Sequence, residues 1–241
     1  MKLIQRHGYI EFLRRNRERS IIKVVSGIRR CGKSTLFRLF KDELLAEGVK
    51  PEQIISINFE ELEYEPLREY HALYQYILNQ MQPNQMNYIF LDEIQHVDQF
   101  HRVVDSLFVK ENTDIYITGS NAYFMSSDIA TLLTGRYVEI QMLPLSFAEF
   151  YYSKYEEQQY SLIPAYEEYL HESSFPYTQQ LGGEDFDIQE YLRGLYNTLL
   201  LHDVVARLKI NDVTMLQDIV RYIMANVGSL LSPNKIAKSL V

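Results

Sequence analysis

Eight consecutive residues constrain this chain more than any others: Gly27-Ile28-Arg29-Arg30-Cys31-Gly32-Lys33-Ser34, which spell GxxxxGK[ST]. The run Ile21-Ile22-Lys23-Val24-Val25 before them is β-branched and reads as a strand. Residues 35–45 after them carry apolar side chains at helical spacing. Strand, glycine loop and helix in that order form a phosphate cradle. The two glycines let the backbone turn tightly, so that successive N–H groups point at one anion. The helix that follows turns its positive dipole end to the same place. Lys33 is then placed to reach the β- and γ-phosphates, and Ser34 to offer its hydroxyl to Mg²⁺. Ile28, Arg29, Arg30, Cys31 and Thr35 complete the expected nucleotide-binding stretch.

The rest of the first 145 residues repeats the strand–helix alternation. Strands are expected at 21–26, 54–59, 88–93, 115–120 and 137–141, with helices at 9–19, 33–47, 67–81 and 99–110 between them. The third strand, Tyr88-Ile89-Phe90-Leu91-Asp92-Glu93, is almost continuously apolar, as in a strand covered on both faces. The expected fold is therefore α/β, a five-stranded parallel sheet of the P-loop NTPase kind sandwiched by helices and followed by a helical segment. Sites in such sheets lie beyond the carboxyl ends of the strands. The glycine loop, Asp92-Glu93 and Ser120-Asn121 all fall there.

These positions have chemical roles. Asp92 is the expected second oxygen ligand of Mg²⁺, acting through water beside Ser34. Glu93 is placed to accept a hydrogen bond from an attacking water and aim it at the γ-phosphate. Ser120 or Asn121 is expected to sense that phosphate, and the residues leave open which. Arg136, after Leu133-Thr134-Gly135, is a candidate to neutralise charge on the transferred group, in its own chain or in a neighbour. A GTPase would need DxxG and NKxD. Asp92-Glu93-Ile94-Gln95 and Asn234-Lys235-Ile236-Ala237 supply neither. A small-molecule kinase usually carries an arginine-rich lid, and residues 125–160 are poor in arginine.

Composition adds bounds. With 241 residues a core is easily built, and the single cysteine, Cys31, excludes an internal disulfide framework. A cytoplasmic setting is expected from this and from the lack of any apolar run near the roughly 20 residues that span a bilayer. The net charge of −8 gives no general attraction to nucleic acid or anionic lipid. Residues 1–20 run the other way, with Lys2, Arg6, Arg14, Arg15, Arg17 and Arg19 against Glu11 and Glu18. The plain reading is the solvated face of a helix, and the sharper one a nucleic-acid contact. The tyrosines of 151–169 read as half-buried helix packing.

Taken together, SGIRRCGKSTL (26–36), YIFLDEIQHV (88–97), YITGSNA (116–122), LTGRYVEIQMLPLSFAEF (133–150), Phe175-Pro176 and LLHDVVAR (200–207) resemble a prokaryotic AAA-type ATPase family related to the archaeal ATPases. The resemblance implies Walker A at 27–34, Walker B at Asp92-Glu93, a sensor at Ser120 or Asn121 and an arginine at Arg136. It implies a sheet in which the acid strand is not next to the loop strand. It also implies ATP and Mg²⁺ as cofactors, self-association, and nucleic acid met through a C-terminal winged helix. The expected division is an N-terminal helix (1–20), an ATPase core (21–145), a helical lid-like region (146–225) and the opening of a winged helix (226–241). There Ser232 suits an N-cap and Pro233 the first helical position. The family continues into a nuclease-like domain, so a shortened chain is expected here. The functional expectation is an ATPase that uses hydrolysis as a conformational switch. A nucleotide-sensing, nucleic-acid-associated scaffold with negligible turnover is the alternative.

Overall fold

In the computed structural model, β1 (Ile22–Gly27) and β3 (Asn87–Asp92) are buried along their whole length. Such strands need cover on both faces, and the chain supplies it. Residues 3–120, 133, 135–155, 160–181, 185–199, 204–205 and 210–239 are described, with backbone only at positions 120 and 185. β2 (Ile54–Asn58), β4 (Thr113–Ser120) and β5 (Tyr137–Met142) complete a sheet of order β2-β3-β4-β1-β5. Every pairing is parallel. β4 lies between the acid strand β3 and the loop strand β1, the separation that the resemblance implies.

The period of two along each strand divides the interior into two cores. Ile22, Val24, Ile89, Leu91, Ile115 and Ile117 face α3 (Tyr70–Gln80) and α4 (Phe100–Phe108). Val25, Tyr88, Phe90 and Tyr116 face α1 (His7–Asn16) and α2 (Lys33–Ala46). On this second face Phe90 stacks on Tyr116 with centroids 4.7 Å apart, and Phe37 meets Phe90 edge-on at 5.2 Å. Each such aromatic contributes roughly 1.5–3 kcal/mol by burial alone.

The helices begin and end where local chemistry dictates. α3 starts at Tyr70 rather than 67, because Pro66 lies in a preceding 3-10 turn and the Glu69 carboxylate caps the helix from the N–H groups of His71 (3.0 Å) and Ala72 (2.8 Å). α1 stops at Asn16, and Glu18 turns the chain with φ 56°. The turn is held from inside the sheet. Glu18 N donates to Asp114 Oδ2 at 2.8 Å, Tyr116 Oη donates to the same oxygen at 2.7 Å, and Lys23 Nζ pairs with Asp114 Oδ1. Lys23 and Asp114 side chains are wholly buried. Burial pushes the Lys23 ammonium down from its ordinary range while Asp114 pulls it back up.

The expected solvated basic face is there in part: Arg14, Arg15 and Arg19 are exposed, Arg14 pairing with Glu11 and Glu43. Arg17, half-buried, pairs with Glu18 and Glu47, and Arg6 is buried. Lys2 lies outside the described residues.

Helices Phe147–Tyr155 and Leu162–Glu172 pack through aromatic rings, Phe147 against Tyr166 and Phe150 against Tyr169. This matches the packing expected of Tyr151, Tyr155 and Tyr169, whereas Tyr152, Tyr160 and Tyr166 are exposed. A 3-10 turn, Pro176–Gln180, follows. Residues 1–184 form one compact unit and 185–241 another. The second unit holds helices Asp185–Thr198, Val213–Ala225 and Pro233–Ser239, with no strand among its described residues. Ser232 caps the last of these through Lys235 N at 3.2 Å, as its residue type suggests. Among the described residues, no helix is long and apolar enough to cross a membrane.

Candidate nucleotide site

The site grows from the end of β1. Gly27 is its last residue, and no other residue fits there. A Cβ would lie 2.4 Å from the Met142 carbonyl oxygen and 2.9 Å from Cys31 Sγ. The chain then turns through Arg30 at φ 66° and Gly32 at φ 106°, both left-handed, before α2 begins at Lys33. Cys31 points inward and is buried. Burial pushes its thiol above the ordinary range, so it is held neutral and serves packing.

The Lys33 ammonium, almost wholly buried, donates to the Gly27 carbonyl at 3.2 Å and reaches Glu93 Oε1 at 3.1 Å. Lys33 and Glu93 are sixty residues apart in sequence, and the sheet brings them together. Asp92 ends β3 and Glu93 follows it at φ 55°, a left-handed conformation that a non-glycine residue adopts at a cost of about 1–3 kcal/mol. That conformation is held by Thr118 on β4. Its hydroxyl accepts from Glu93 N at 2.9 Å and donates to Asp92 Oδ1. Gln95 Nε2 donates to the other Glu93 oxygen, Oε2, at 2.5 Å. Burial pushes the Asp92 carboxyl above the usual carboxylate range. Hydroxyls of Ser34 and Thr118 pull it back, and the neighbouring Glu93 adds to the rise.

A cleft of about 320 Å³ opens over these groups. Arg29, Arg30 and Lys33 line it with Glu60 and Glu93, and Pro176, Tyr177 and Gln180 close one side. A second cavity of about 540 Å³ adjoins Ser34 and Asp92 and reaches Arg38, Lys41, Asn58 and Glu61. Among the described residues, no group of three or more His, Cys, Asp or Glu converges to cage a metal ion. The donor set instead suits Mg²⁺. The Ser34 hydroxyl and the Asp92 carboxylate, which line one cavity, are hard oxygens beside a phosphate cradle, and Mg²⁺ retains water and phosphate oxygens for its other positions.

Most of the residues expected at the site meet there: Gly27 through Thr35, Asp92 and Glu93. Ser120 pairs with Gly27 across β4 and β1, so its backbone borders the loop. Its side chain and the whole of Asn121 lie outside the described residues. Arg136 is elsewhere. It precedes β5, whose Tyr137 pairs with Ile22 at the start of β1, whereas the loop leaves β1 at the Gly27–Met142 pair. Five residue steps of strand, roughly 17 Å, separate the two ends. Arg136 is exposed there, its guanidinium 5.6 Å from the Phe108 ring centre. Thr118, Gln95, Glu60, Tyr177 and Gln180 escaped the sequence reading. Thr118 left a faint signal, a hydroxyl directly after the apolar run Ile115-Tyr116-Ile117. The others left none, since their roles depend on distant partners.

Comparison with known proteins agrees with this geometry. Residues 19–151 match the AAA domain family. An uncharacterized protein of Haemophilus influenzae is 37% identical over 241 residues, covering 99% of this chain and 60% of that protein. The uncharacterized protein MJ1544 of Methanocaldococcus jannaschii is 33% identical over 236 residues, covering 91% of this chain and 50% of that protein. The chain thus spans between half and two thirds of these relatives. Among solved structures, the Walker-type ATPase PABY2304 of Pyrococcus abyssi superposes with a TM-score of 0.58 at 16% identity, over 98% of this chain and 89% of that one. The Aeropyrum pernix ORC1 protein, solved in complex with DNA, gives 0.50 at 12% identity, over 99% and 77%. With the family matched across the loop, the acids and all five strands, this chain belongs to the AAA domain family, and its fold is that of the Walker-type ATPase of Pyrococcus abyssi.

Proposed function

We propose that this chain binds ATP with Mg²⁺ and hydrolyses it, using the nucleotide cycle as a conformational switch. The observation that carries this reading is the Lys33–Glu93 contact at 3.1 Å above acids anchored by Thr118. At rest both Glu93 oxygens are engaged, one by Lys33 and one by Gln95. A triphosphate in the loop offers Lys33 a stronger anion, so Lys33 turns to the phosphate and frees Oε1. Glu93 then accepts a hydrogen bond from a water and takes its proton as that water's oxygen bonds to the γ-phosphorus and the bond to the β-phosphate oxygen breaks. Mg²⁺, held by Ser34 and through water by Asp92, would neutralise charge on the β- and γ-oxygens. Arg29 and Arg30 add positive charge at the mouth of the cleft. Ser120 or Asn121 remains our candidate for sensing the γ-phosphate. We assign Arg136 to the site of a neighbouring copy, which its exposure and its distance from its own loop support.

Glu93→Gln tests the proposal. It should keep nucleotide affinity within about threefold while phosphate release falls by roughly 10²–10⁴, the value of a positioned general base. Lys33→Ala should lose nucleotide binding. Unchanged phosphate release in Glu93→Gln removes Glu93 from its role. Wild-type protein that binds ATP but releases no phosphate above buffer, with or without DNA, points instead to the nucleotide-sensing scaffold.

A further inference from the structure

Arg6 lies ahead of α1, 25 residues before Cys31, and only 3% of it is exposed. Burying a guanidinium costs several kcal/mol unless its donors are met. Here they are met by three separate segments. Nε donates to Glu149 Oε1 at 2.6 Å, in the first turn of the helix Phe147–Tyr155. Nη1 donates to the Cys31 carbonyl, inside the phosphate loop, at 3.2 Å. Nη2 donates to the Leu143 carbonyl at 2.9 Å and the Pro144 carbonyl at 3.4 Å, where the chain leaves β5. The plane of the group rests 4.6 Å from the Tyr9 ring centre, and Tyr9 Oη accepts from Leu143 N at 3.1 Å.

The placement has a physical consequence for the loop. A backbone that turns its N–H groups toward an anion turns carbonyls the other way. Arg6 sits behind the loop on one of those carbonyls. The Met142 carbonyl backs the same loop at Gly27, so β5 and its exit form the rear wall. Glu149 is itself tied down, because Ser146 N and Oγ donate to its Oε2 at 2.8 and 2.9 Å. One rigid five-donor group therefore bridges the loop and residues 143–149.

We infer that Arg6 is a positioning residue that holds the phosphate loop in its anion-binding conformation and transmits the loop's occupancy to residues 143–150. The link to occupancy rests on the nucleotide reading above; the clamp itself does not. A lysine at position 6 keeps the charge beside Glu149 but has no planar fork with which to reach Cys31, Leu143 and Glu149 at once.

The test uses the 241-residue chain, a non-hydrolysable ATP analogue with Mg²⁺, titration calorimetry and hydrogen exchange. In the nucleotide-free protein, Arg6→Lys should speed exchange at 28–33 and 143–150 together. With analogue, the wild type should gain protection at 143–150. Arg6→Lys should bind the analogue about tenfold more weakly, the loss of one charge-assisted hydrogen bond, and show no such gain. Glu149→Gln leaves the carbonyl contacts in place, so affinity should stay within about threefold while the protection gained at 143–150 falls. Equal affinity and equal exchange in wild type and Arg6→Lys overturn the inference, as does faster exchange in only one of the two segments. If Arg6→Lys does not fold, Glu149→Gln decides the link: an undiminished gain at 143–150 overturns it. Wild-type protein that fails to bind the analogue sinks the nucleotide reading instead, and the nucleotide-free exchange comparison still judges the clamp.

Discussion

At the scale of single residues, the site depends on a few buried polar atoms. Thr118 meets the Glu93 N–H and the Asp92 carboxylate with one hydroxyl. Thr118→Val keeps the volume and leaves that N–H without a partner, at about 1–3 kcal/mol. Phosphate release should drop about 10–100-fold, as when an outer hydrogen-bond partner of a catalytic group is lost; a steady-state assay beside thermal melts checks both. Asp92 shows the opposite balance. Its raised carboxyl means that the folded chain binds this proton more tightly than the unfolded chain. The penalty is therefore absent below the unfolded value and present once pH exceeds the folded one. Asp92→Asn should melt with the wild type in acid and above it at neutral pH. Melts from pH 3 to 7.5 without nucleotide test this, and a variant that melts lower at pH 7 refutes it.

At the scale of elements, β1, the loop and α2 work as one unit because β5 backs them. The two motif glycines are needed for different reasons. At Gly27 a Cβ would meet the Met142 backbone at 2.4 Å, so strand pairing must yield. At Gly32 the nearest atom to such a Cβ is the flexible end of Met142 at 3.4 Å, and only the left-handed φ of 106° objects, at about 1–2 kcal/mol. Gly27→Ala should thus weaken nucleotide binding about a hundredfold, the effect of displacing a cradle by an ångström. Gly32→Ala should weaken it less, and calorimetric titration of both ranks them. The loop, the acid strand and the five-strand alternation were legible in the sequence, because each is written in adjacent residues. Helix starts were less so. Expecting α3 at 67 overlooked Glu69, whose capping depends on the backbone two and three residues on.

At the scale of the whole molecule, parallel pairing decides which residues can act together. It places Lys33 against Glu93 and sends Arg136 to the far end of β1. On our proposal, an arginine there serves a neighbour's site. Arg136→Ala and Glu93→Gln proteins should each turn over slowly, and mixing them should restore phosphate release, because a Glu93→Gln copy lends its arginine to a copy with an intact acid. A mixture no faster than its parts removes Arg136 from that role.

The sequence by itself determined the GxxxxGK[ST] loop with the Ser34 hydroxyl at its end, the two acids and the α/β class. Each of these follows from covalent neighbours: glycine backbone freedom, a helix N-terminus, the period of a strand. The tertiary structure alone decided that Thr118 anchors both acids, that Glu93 rests against Lys33, that Arg6 leaves the basic N-terminal face to brace the loop, and that Arg136 stands apart from its own loop. Those facts join residues separated by 25 to 143 positions. Composition and periodicity carry no record of such pairs, because they arise only when the order β2-β3-β4-β1-β5 brings distant strand ends to one edge.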